Sequence, residues 1–272
     1  MNDAVSGKSV FLTGATSGIG LALARSLAGS GARLLVHGRD AGKLGGVTAE
    51  LAALGATVQG FAADLSSLEE TAALGRKVAG AGPLDILINN AGVGFGADGK
   101  RRELSRDGHE LRFAVNYLAP FLLTEELLAR GLPRLAVINV ASAGQETLDF
   151  DDLMTERGYS GVRAYCRSKL ALIMMSFDLA ALHHGLQVHA LHPGTYLDTR
   201  MVREAGIAPL GPVSRGVESI REVLTAALAG GASGGYFDQA RPARALAQAY
   251  NTAARRRLRE LSLQLVSPWR GA

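Results

Sequence analysis

The stretch VFLTGATSGIG, residues 10–20, decides the fold. A short apolar run, Val10 to Leu12, leads directly into a turn with three glycines, and a helical pattern follows the turn. Glycine lets a backbone turn tightly and approach a pyrophosphate closely, while the start of a helix offers free N–H groups and a positive dipole end to phosphates. At a strand-to-helix junction this pattern predicts a dinucleotide-binding turn. Its predicted cofactor contacts are Gly14, Thr16, Ser17, Gly18, Ile19 and Gly20.

Beyond this turn, apolar runs of strand length alternate with longer helical patterns almost to the end of the chain. Continuous apolar runs are typical of strands buried on both faces, in a parallel sheet covered by helices. The alternation predicts an α/β fold, a doubly wound (Rossmann) parallel sheet of about seven strands with helices on both faces. No linker or repeat interrupts it, so residues 1–272 are predicted to form a single domain. The predicted strand segments are residues 10–12, 34–36, 58–62, 86–88, 136–140 and 188–191, and the later helical segments begin at about 103, 165 and 243, the last ending at about 265.

The composition excludes several classes of protein. Of the 272 residues, 47% are hydrophobic and 20% are charged, which excludes a disordered chain. The lone cysteine, Cys166, excludes an intramolecular disulfide and a cysteine-based metal cluster, and we expect it only to pack. The net charge is +4, and the basic cluster near 255–259 has no aromatic neighbours, so we interpret it as a solvated helix face and predict no nucleic-acid partner.

The chain offers no segment that suits a membrane or a secretory signal. Its most apolar stretch, residues 170–177, is far shorter than the roughly 20 residues that a membrane span needs. Residues 1–8 lack the apolar core of a signal peptide. We therefore predict no membrane span and a cytoplasmic location.

The end of the second predicted strand indicates which cofactor binds. The sequence there is His37-Gly38-Arg39, and the first carboxylate is Asp40. An acidic residue at this strand end accepts hydrogen bonds from the ribose of NAD, whereas a guanidinium pairs with the 2′-phosphate of NADP. We therefore expect NADP (NADPH) rather than NAD, with Arg39 as the phosphate ligand and Lys43 or His37 in support.

Polar residues with the chemistry of a catalytic site fall at the ends of the predicted strands. Tyr165 and Lys169 lie four residues apart in the motif YCRSK, and this spacing puts both side chains on one face of a helix. Ser142 ends one apolar run, the segment Asn89–Gly92 ends another, and Asn116 lies between them. Ligands bind at the carboxyl ends of the strands in open α/β sheets, so these residues are candidates for one site.

Together these motifs resemble the short-chain dehydrogenase/reductase family over about residues 8–240, and several strings are closest to its retinol-dehydrogenase-like branch. The glycine-rich turn, the Asn-Asn-Ala-Gly element and a Pro-Gly after the sixth strand all match the family. The resemblance implies a catalytic tetrad of Asn116, Ser142, Tyr165 and Lys169. It also implies cofactor contacts at Asp64, Leu65, Asn90, Ala91, Gly92, Tyr165, Lys169, Pro193, Gly194 and Thr195.

These residue types suit the reduction of a carbonyl, which needs a hydride from the cofactor and a proton for the developing alkoxide. Tyr165 would supply the proton, and Lys169 together with the positive nicotinamide of the oxidised cofactor would lower the pKa of the phenol from about 10. Ser142 would stabilise the charge on the substrate oxygen. By resemblance, Lys169 also binds the nicotinamide ribose, and Asn116 holds a water that links Lys169 to solvent.

The sequence thus predicts an NADP(H)-dependent enzyme that interconverts an alcohol and a ketone or aldehyde of a small apolar substrate, with reduction as the favoured direction. The alternative is a non-catalytic NADP-binding regulatory or scaffold protein, which would have no reason to keep the tetrad. A third interpretation is a membrane-associated enzyme that acts on retinoids or steroids. The missing N-terminal apolar anchor counts against this interpretation. The resemblance also allows a homodimer or homotetramer that pairs helices near 104–130 and 160–183.

A long segment separates two members of the tetrad, since Ser142 and Tyr165 are 23 residues apart. No further ligand of known spacing accompanies its acidic residues, so we interpret them as turn formers and predict no metal site. The apolar residues of the segment are hypothesised to form a wall or flap over the substrate. The acidic residues are Asp149, Asp151 and Asp152, and the apolar ones are Leu148, Phe150, Leu153 and Met154.

The segment of about 195–212 is rich in glycine and proline, which suits a mobile substrate lid. Its apolar side chains either contact the substrate or form a small core under the loop, and the sequence leaves both interpretations open. These side chains are Met201, Val202, Ile207 and Leu210.

Overall fold

A computed structural model describes residues 4–96, 98–131 and 135–271, and within them it shows one sheet of eight strands. The strands are β1 (Ser9–Leu12), β2 (Arg33–Gly38), β3 (Thr57–Ala62), β4 (Ile86–Asn89), β5 (Ala136–Val140), β6 (Gln187–His192), β7 (Gly235–Asp238) and β8 (Arg241–Pro242). Their order across the sheet is β3-β2-β1-β4-β5-β6-β7-β8. Every neighbouring pair is parallel except β7 with β8. The predicted doubly wound fold is confirmed, with a short antiparallel strand added to the expected seven.

Helices cover both faces of this sheet. In chain order they are α1 (Gly18–Ala28), α2 (Ala41–Ala53), α3 (Leu68–Gly80), α4 (Leu111–Phe113), a π-helical turn (Ala114–Leu118), α5 (Ala119–Leu128), α6 (Gly161–Leu182), α7 (Arg200–Glu204), α8 (Val213–Leu228), a 3₁₀ turn (Ala247–Tyr250) and α9 (Thr252–Val266). Buried residues of α3, α5, α6 and α9 form one core, and those of α1, α2 and α8 form the other. Because strand side chains alternate between faces, Phe11 of β1 joins the first core while Val10 and Leu12 join the second.

The edge strand β3 differs from the other parallel strands. The sequence predicts it to be buried on both faces, but Thr57, Gln59, Gly60 and Ala62 are exposed and Phe61 is buried. The reason is its position, since β3 pairs only with β2 and ends the sheet on that side. A short apolar run therefore did not distinguish an edge strand from a central one.

In three helices the first residue differs from the one that the sequence predicts. The stretch expected from about residue 103 becomes helical only at Leu111, because the preceding residues form a bridge between Leu104 and Glu110. In contrast, α6 begins at Gly161, four residues before the predicted start at Tyr165. The C-terminal helix α9 begins at Thr252 rather than near 243, since the Asn251 side chain accepts a hydrogen bond from Ala254 N at 3.0 Å and caps it there.

Helix α9 packs against α5 and α6. These are the two helices that the family resemblance predicts to pair with a second copy of the chain in an oligomer. The hydroxyls of Tyr117 and Ser262 are 2.7 Å apart, and Arg259 Nη1 is 2.9 Å from Glu125 Oε1. Leu258 of α9 is 1% exposed and lies in the core with α6. Pairing through α5 and α6 would therefore have to use the surface that α9 leaves free.

Among the residues that the structure describes, no helix is both long enough and apolar enough to cross a bilayer.

The docking of α9 predicts a difference between two leucine substitutions. Leu258→Ala removes a buried side chain and leaves a cavity, so we expect the free energy of unfolding to fall by about 2–5 kcal/mol. Leu182→Ala is the matched control, because Leu182 is 52% exposed at the end of α6 and its loss is expected to cost only about 0.5 kcal/mol. Urea unfolding of the two variants measures the difference, and equal losses would contradict the packing of α9.

Candidate active site

The glycine turn has the backbone shape that a phosphate site needs. Gly14 adopts a φ of +70°, and a Cβ at this position would lie 2.8 Å from Ala91 Cα. Gly18 opens α1 with a φ of +52°, and the preceding Ser17 makes no side-chain capping bond to the helix. The first N–H groups of α1 therefore keep their hydrogen-bonding capacity and the positive end of the helix dipole.

Thr13, which the sequence analysis did not single out, joins the turn to the end of β4. Its Oγ1 accepts hydrogen bonds from the N–H groups of Asn90 and Ala91, both at 3.0 Å. The Asn90 side chain donates in turn to Thr13 O at 2.9 Å. The predicted contact Asn90 thus has its amide occupied in holding the turn. A threonine directly before the first glycine of the turn was the available signal.

His37 is buried under the turn rather than beside a phosphate, which corrects the expectation that it supports Arg39. The side chain is 3% exposed, and its Nδ1 accepts a hydrogen bond from Gly14 N at 3.2 Å. Nε2 therefore carries the proton and donates to Ala63 O at 3.0 Å. Burial lowers the pKa of His37, although the hydrogen bond to Ala63 and the charge of Asp64 act against this.

Arg39 lies where a cofactor could reach it. Its side chain is exposed at the end of β2 and has no hydrogen bond or ion pair with the described residues. The neighbouring carboxylate, Asp40, caps α2 by accepting a hydrogen bond from Lys43 N at 2.9 Å. Asp40, the carboxylate nearest to the end of β2, therefore already accepts a hydrogen bond within the protein.

Asp64 and Leu65, two of the predicted cofactor contacts, differ in their surroundings. Asp64 Oδ1 accepts a hydrogen bond from Ser66 N at 3.0 Å, and Oδ2 lies 3.5 Å from Arg106 Nη2. The Leu65 side chain is 6% exposed and belongs to the core. Because the Leu65 side chain is in the core, Leu65 can contact a ligand only with its backbone atoms.

Tyr165 and Lys169 lie together near the start of α6, where the sequence places them. The Lys169 ammonium is 5.7 Å from the centre of the Tyr165 ring and donates to Val140 O, at the end of β5, at 2.8 Å. Lys169 is 4% exposed, and this burial lowers its pKa to about 8. A buried ammonium without a carboxylate partner is disfavoured, which is the cause of that shift.

Ser142 and Tyr165 are brought together as predicted, but the protein raises the pKa of the phenol. Burial raises the pKa of Tyr165 to about 12, and a hydrogen bond with Ser142 only partly opposes this. Ser142 Oγ also accepts a hydrogen bond from Gly144 N at 3.0 Å. The direction is opposite to the lowering of the pKa that the charges of Lys169 and the oxidised cofactor predict, because burial of the phenol dominates and Lys169 donates to Val140 O rather than to the hydroxyl.

Asn116 occupies the π-helical turn, a local irregularity that is frequent at functional sites. Its Oδ1 accepts a hydrogen bond from Val93 N at 2.8 Å, and its Nδ2 donates to Val93 O and to Ser168 Oγ, both at 3.0 Å. A Cβ at Gly92 would lie 3.1 Å from Asn116 Oδ1 and 3.6 Å from Lys169 Nζ. Asn116 therefore fixes the backbone in front of the ammonium.

The Pro-Gly element follows β6 at the same edge of the sheet. Gly194 adopts a φ of +132°, and the Thr195 hydroxyl lies 3.0 Å from Nε2 of the buried His192. The carbonyl of Pro193 accepts a hydrogen bond from Ser219 Oγ of α8 at 3.3 Å. Side-chain contacts thus hold this predicted cofactor segment from both sides.

The segment predicted as a lid contains the short helix α7 and borders the glycine turn. A cavity of about 420 Å³ is lined by Gly18 and by residues 198–200, 203 and 204. Met201 packs against the backbone of Gly94, since a Cβ there would lie 2.6 Å from Met201 Cγ. Val202 and Ile207 are half-buried, whereas Leu210 is 67% exposed. Met201 thus contacts the segment that follows the Asn-Asn-Ala-Gly element.

The long segment between Ser142 and Tyr165 packs largely against the C-terminal part of the chain. Leu148 is 4% exposed in the core, and its N–H and carbonyl bind the Gln248 side chain at 2.7 and 3.0 Å. The Arg257 guanidinium lies 5.0 Å from the centre of the Phe150 ring. Leu148 therefore cannot belong to a flap, which corrects that part of the hypothesis. Leu153 and Met154 are partly buried against the same core.

The acidic residues of this segment bind arginines and backbone groups. Asp149 lies 3.0 Å from Arg157, and Asp151 lies 2.9 Å from Arg257. Asp152 accepts a hydrogen bond from Glu156 N at 2.7 Å. Nowhere in residues 4–96, 98–131 and 135–271 do three or more potential ligands gather as a metal would require.

Phe95 is a neighbour of Tyr165 that the sequence analysis missed. The two ring centres are 4.9 Å apart, and the ring planes meet edge to face at 81°. Phe95 is half-buried and follows the Asn-Asn-Ala-Gly element by three residues. A single aromatic residue in a glycine-rich loop gave no periodic signal, so only the folded chain shows this contact.

Comparison with known proteins identifies the family. The family described as short chain dehydrogenase matches residues 8–208. The chain belongs to this family. A protein of Streptomyces sp. (strain C5), named as a candidate daunorubicin C-13 ketoreductase, is 38% identical over 69% of this chain and 66% of its own length. Human retinol dehydrogenase 12 is 34% identical over 96% of this chain and 86% of its own length, which confirms the resemblance to the retinol-dehydrogenase-like branch.

A solved structure of the same family adds a bound cofactor. The crystal structure of a metagenomic short-chain oxidoreductase in complex with NADP is 32% identical, with a TM-score of 0.58, and covers 71% of this chain and 84% of that chain. The chain spans about two thirds of the length of the first curated relative that it matches. Family membership supports a nicotinamide cofactor for this short-chain dehydrogenase.

The neutral His37 predicts a loss of stability in acid. In the unfolded chain the residue titrates near its ordinary pKa of about 6.5, whereas the folded chain holds the pKa lower. Below about pH 6.5 the unfolded state therefore binds a proton that the folded state does not, and stability falls by up to about 1.4 kcal/mol per pH unit until the folded pKa is reached. Urea unfolding at pH 7.5 and 5.5 measures this fall.

His37→Gln is the control, since an amide can replace both hydrogen bonds without titrating. The other histidines remain in both proteins, so the difference between the two pH dependences isolates His37. Equal dependences would show that His37 does not titrate as its burial requires.

Proposed function

We propose that this chain is an NADP(H)-dependent oxidoreductase that interconverts an alcohol and a ketone or aldehyde of an apolar substrate. The observation that carries the proposal is the meeting of three groups at one edge of the sheet: the Tyr165 phenol, the Ser142 hydroxyl beside it and the buried Lys169 ammonium. The printed names of the relatives, a ketoreductase and a retinol dehydrogenase, support a carbonyl or alcohol substrate.

The residues of the glycine turn fit a dinucleotide. The close approach of Gly14 to Ala91 and the uncapped start of α1 leave backbone N–H groups for a pyrophosphate, and Arg39 offers a guanidinium to a 2′-phosphate. Thr195 and Lys169 lie at the other end of the site, where the nicotinamide and its ribose would bind. When bound, NADPH supplies the hydride.

The protein side of the reaction is proton transfer and charge stabilisation. Tyr165 with a pKa of about 12 is protonated at neutral pH, so it holds the proton that a developing alkoxide needs. Ser142 lies beside the phenol and would donate to the same substrate oxygen. Lys169 brings a positive charge beside the ring, which stabilises the phenolate that remains after transfer.

The raised pKa also sets the protonation state of the phenol under neutral conditions. Reduction consumes the proton of a neutral phenol, whereas oxidation of an alcohol needs the phenolate as a base. Oxidation takes place with the oxidised cofactor bound, and the positive charge of that cofactor near Tyr165 lowers the pKa of the phenol. The free protein at neutral pH thus holds the protonation state that reduction uses, whereas the cofactor ratio and the pH set the direction of net reaction.

The pH dependence and the Tyr165→Phe variant test the role of Tyr165. We expect NADPH-dependent reduction of a ketone panel at pH 7, and alcohol oxidation that rises as the pH increases above neutrality. Tyr165→Phe removes the proton donor and is expected to lower kcat in both directions by about 10²–10⁴-fold, with NADPH affinity nearly unchanged. Steady-state absorbance at 340 nm and a fluorescence titration of NADPH measure the two effects. A variant that keeps wild-type kcat would contradict the proposed mechanism.

The preference for NADP is proposed to depend on Arg39. A guanidinium–phosphate pair contributes about 1.5–3 kcal/mol, so Arg39→Ala should weaken NADPH binding by about 10- to 100-fold. NADH binding should change little, because NADH lacks the 2′-phosphate.

Arg256→Ala provides the matched control, because Arg256 is an exposed arginine of α9. Fluorescence titration of both nucleotides with both variants measures the effect. If Arg39→Ala weakened the two nucleotides equally, Arg39 would not be the phosphate ligand.

A non-catalytic NADP-binding regulator or scaffold remains the alternative from another class. Such a protein would bind NADPH through the same turn and Arg39, and it would reduce no carbonyl. The buried Lys169 counts against it, since an ammonium without a carboxylate partner costs stability and has no use in a scaffold. Nucleotide binding without turnover across the ketone panel would favour the alternative.

A further inference from the structure

Arg112 is a buried arginine that the proposed proton transfer does not use. Its side chain is 1% exposed and lies beside Glu110, which is also 1% exposed. Arg112 Nη1 is 3.4 Å from Glu110 Oε1, and Nη2 pairs with Glu103. The Tyr159 hydroxyl accepts a hydrogen bond from Nη1 at 3.0 Å and donates to Glu110 Oε1 at 3.0 Å. A guanidinium with these partners is held in one orientation.

The Nε–H of this guanidinium points toward the candidate site. Arg112 Nε donates to the carbonyl of Gly94 at 3.0 Å. The preceding residue, Val93, has both its N–H and its carbonyl bonded to Asn116. At Gly96 the backbone adopts a φ of +86°, and a Cβ would collide with the guanidinium. Arg112 and Asn116 together therefore fix the backbone on both sides of Gly94.

The segment that they fix forms one wall of the space beside Tyr165. Phe95 meets the Tyr165 ring edge to face, with 4.9 Å between the ring centres. Met201 of the lid packs on the backbone of Gly94. A carbonyl compound that reaches the phenol would therefore pass between the lid and the Phe95 ring.

We propose that Arg112 is a positioning residue for substrate selection: its hydrogen bond to Gly94 O fixes Phe95 against Tyr165, and the Phe95 ring limits the width of the ketone that reaches the phenol. The favoured substrates are unbranched or single-ring ketones, and those with a branched or fused-ring group next to the carbonyl are disfavoured. The selection among ketone substrates rests on the proposed function, because it requires the protein to reduce ketones. The positioning of the Phe95 ring by Arg112 does not depend on the proposed function.

Arginine is required here because lysine cannot make the same set of contacts. The planar fork directs separate N–H groups at Glu103, Tyr159 and Gly94, whereas an ammonium is a single point on a flexible stem. Arg112→Lys therefore keeps the charge beside Glu110 and removes the bond to Gly94. Arg101→Lys is the matched control, because Arg101 is an exposed arginine just before the same network.

The placement of Phe95 is tested without turnover. The protein is labelled with 4-fluorophenylalanine at its eight Phe positions, and the ¹⁹F resonance of Phe95 is assigned by its loss in Phe95→Leu. In Arg112→Lys we expect this resonance to broaden or to shift toward the value of the unfolded chain, while the resonances of the Phe residues outside the Arg112 network stay in place. Phe113 is left out of this comparison because its N–H binds Glu110. Arg101→Lys should leave the whole spectrum unchanged. An unchanged Phe95 resonance in folded Arg112→Lys would overturn the proposal whether or not the protein reduces ketones.

The selection for narrow ketones is tested by a double-mutant cycle on the whole 272-residue chain. The measured quantity is the ratio of kcat/KM for a narrow ketone to that for a bulky one, with NADPH saturating. Phe95→Ala and Arg112→Lys are each expected to lower this ratio by about 10-fold or more, and the double variant should lower it no further, because Arg112 acts through Phe95. A merely structural role for Arg112 would lower both kcat/KM values by the same factor and leave the ratio unchanged.

Three results separate the possible failures. If the two substitutions changed the kcat/KM ratio additively, or if Phe95→Ala left that ratio unchanged, the proposed substrate selection would be overturned. The proposed function would remain intact in both cases. If Arg112→Lys did not fold, Phe95→Ala would still decide whether the ring limits the substrate. No turnover of any ketone by the wild-type protein would contradict the proposed function instead, and the ¹⁹F spectra would then still decide whether Arg112 positions Phe95.

Discussion

The hydrogen bond from the Lys169 ammonium to the Val140 carbonyl is the contact on which the site depends. A buried ammonium must bind an acceptor, and the acceptor here is the last carbonyl of β5. The bond therefore fixes α6 to the end of the strand that leads to Ser142. Tyr165, one turn earlier on the same helix face, is brought to Ser142 by the same contact. One interaction thus sets the relative positions of three functional groups.

Much of this arrangement could be predicted from the sequence, because the glycine turn and the Tyr165–Lys169 pair each depend on residues that are close together in the chain. The strand-turn-helix pattern around Gly14 has a defined backbone shape, and the spacing of Tyr165 and Lys169 defines a helix face. The carboxyl ends of parallel strands meet at one edge, so the sequence alone assigns Ser142 and the Asn89–Gly92 segment to one site. Nothing about these positions depended on how a long loop packs.

The sequence did not predict the partners of long loops and buried polar groups, because these partners are far apart in the chain. Leu148 is apolar whether it faces a substrate or, as here, binds Gln248 and joins the core. His37 follows an apolar run at the cofactor edge, but its side chain points inward, where Gly14 N needs an acceptor. Similarly, Phe95 contacts Tyr165 through a loop backbone that Arg112 and Asn116 fix, and these partners are distant in the sequence.

Two buried cations, Lys169 and Arg112, each donate a hydrogen bond to a backbone carbonyl of the candidate site, and their surroundings explain why one is a lysine and the other an arginine. Burial without a carboxylate lowers the pKa of Lys169 to about 8, so its charge responds to small changes around it. Burial also opposes the charge of Arg112, but the hydrogen bond to Glu103 and the charge of Glu110 more than offset it and raise the pKa. Arg112 therefore remains charged at every physiological pH and suits a fixed support. Lys169 suits a site whose charge must change during a reaction.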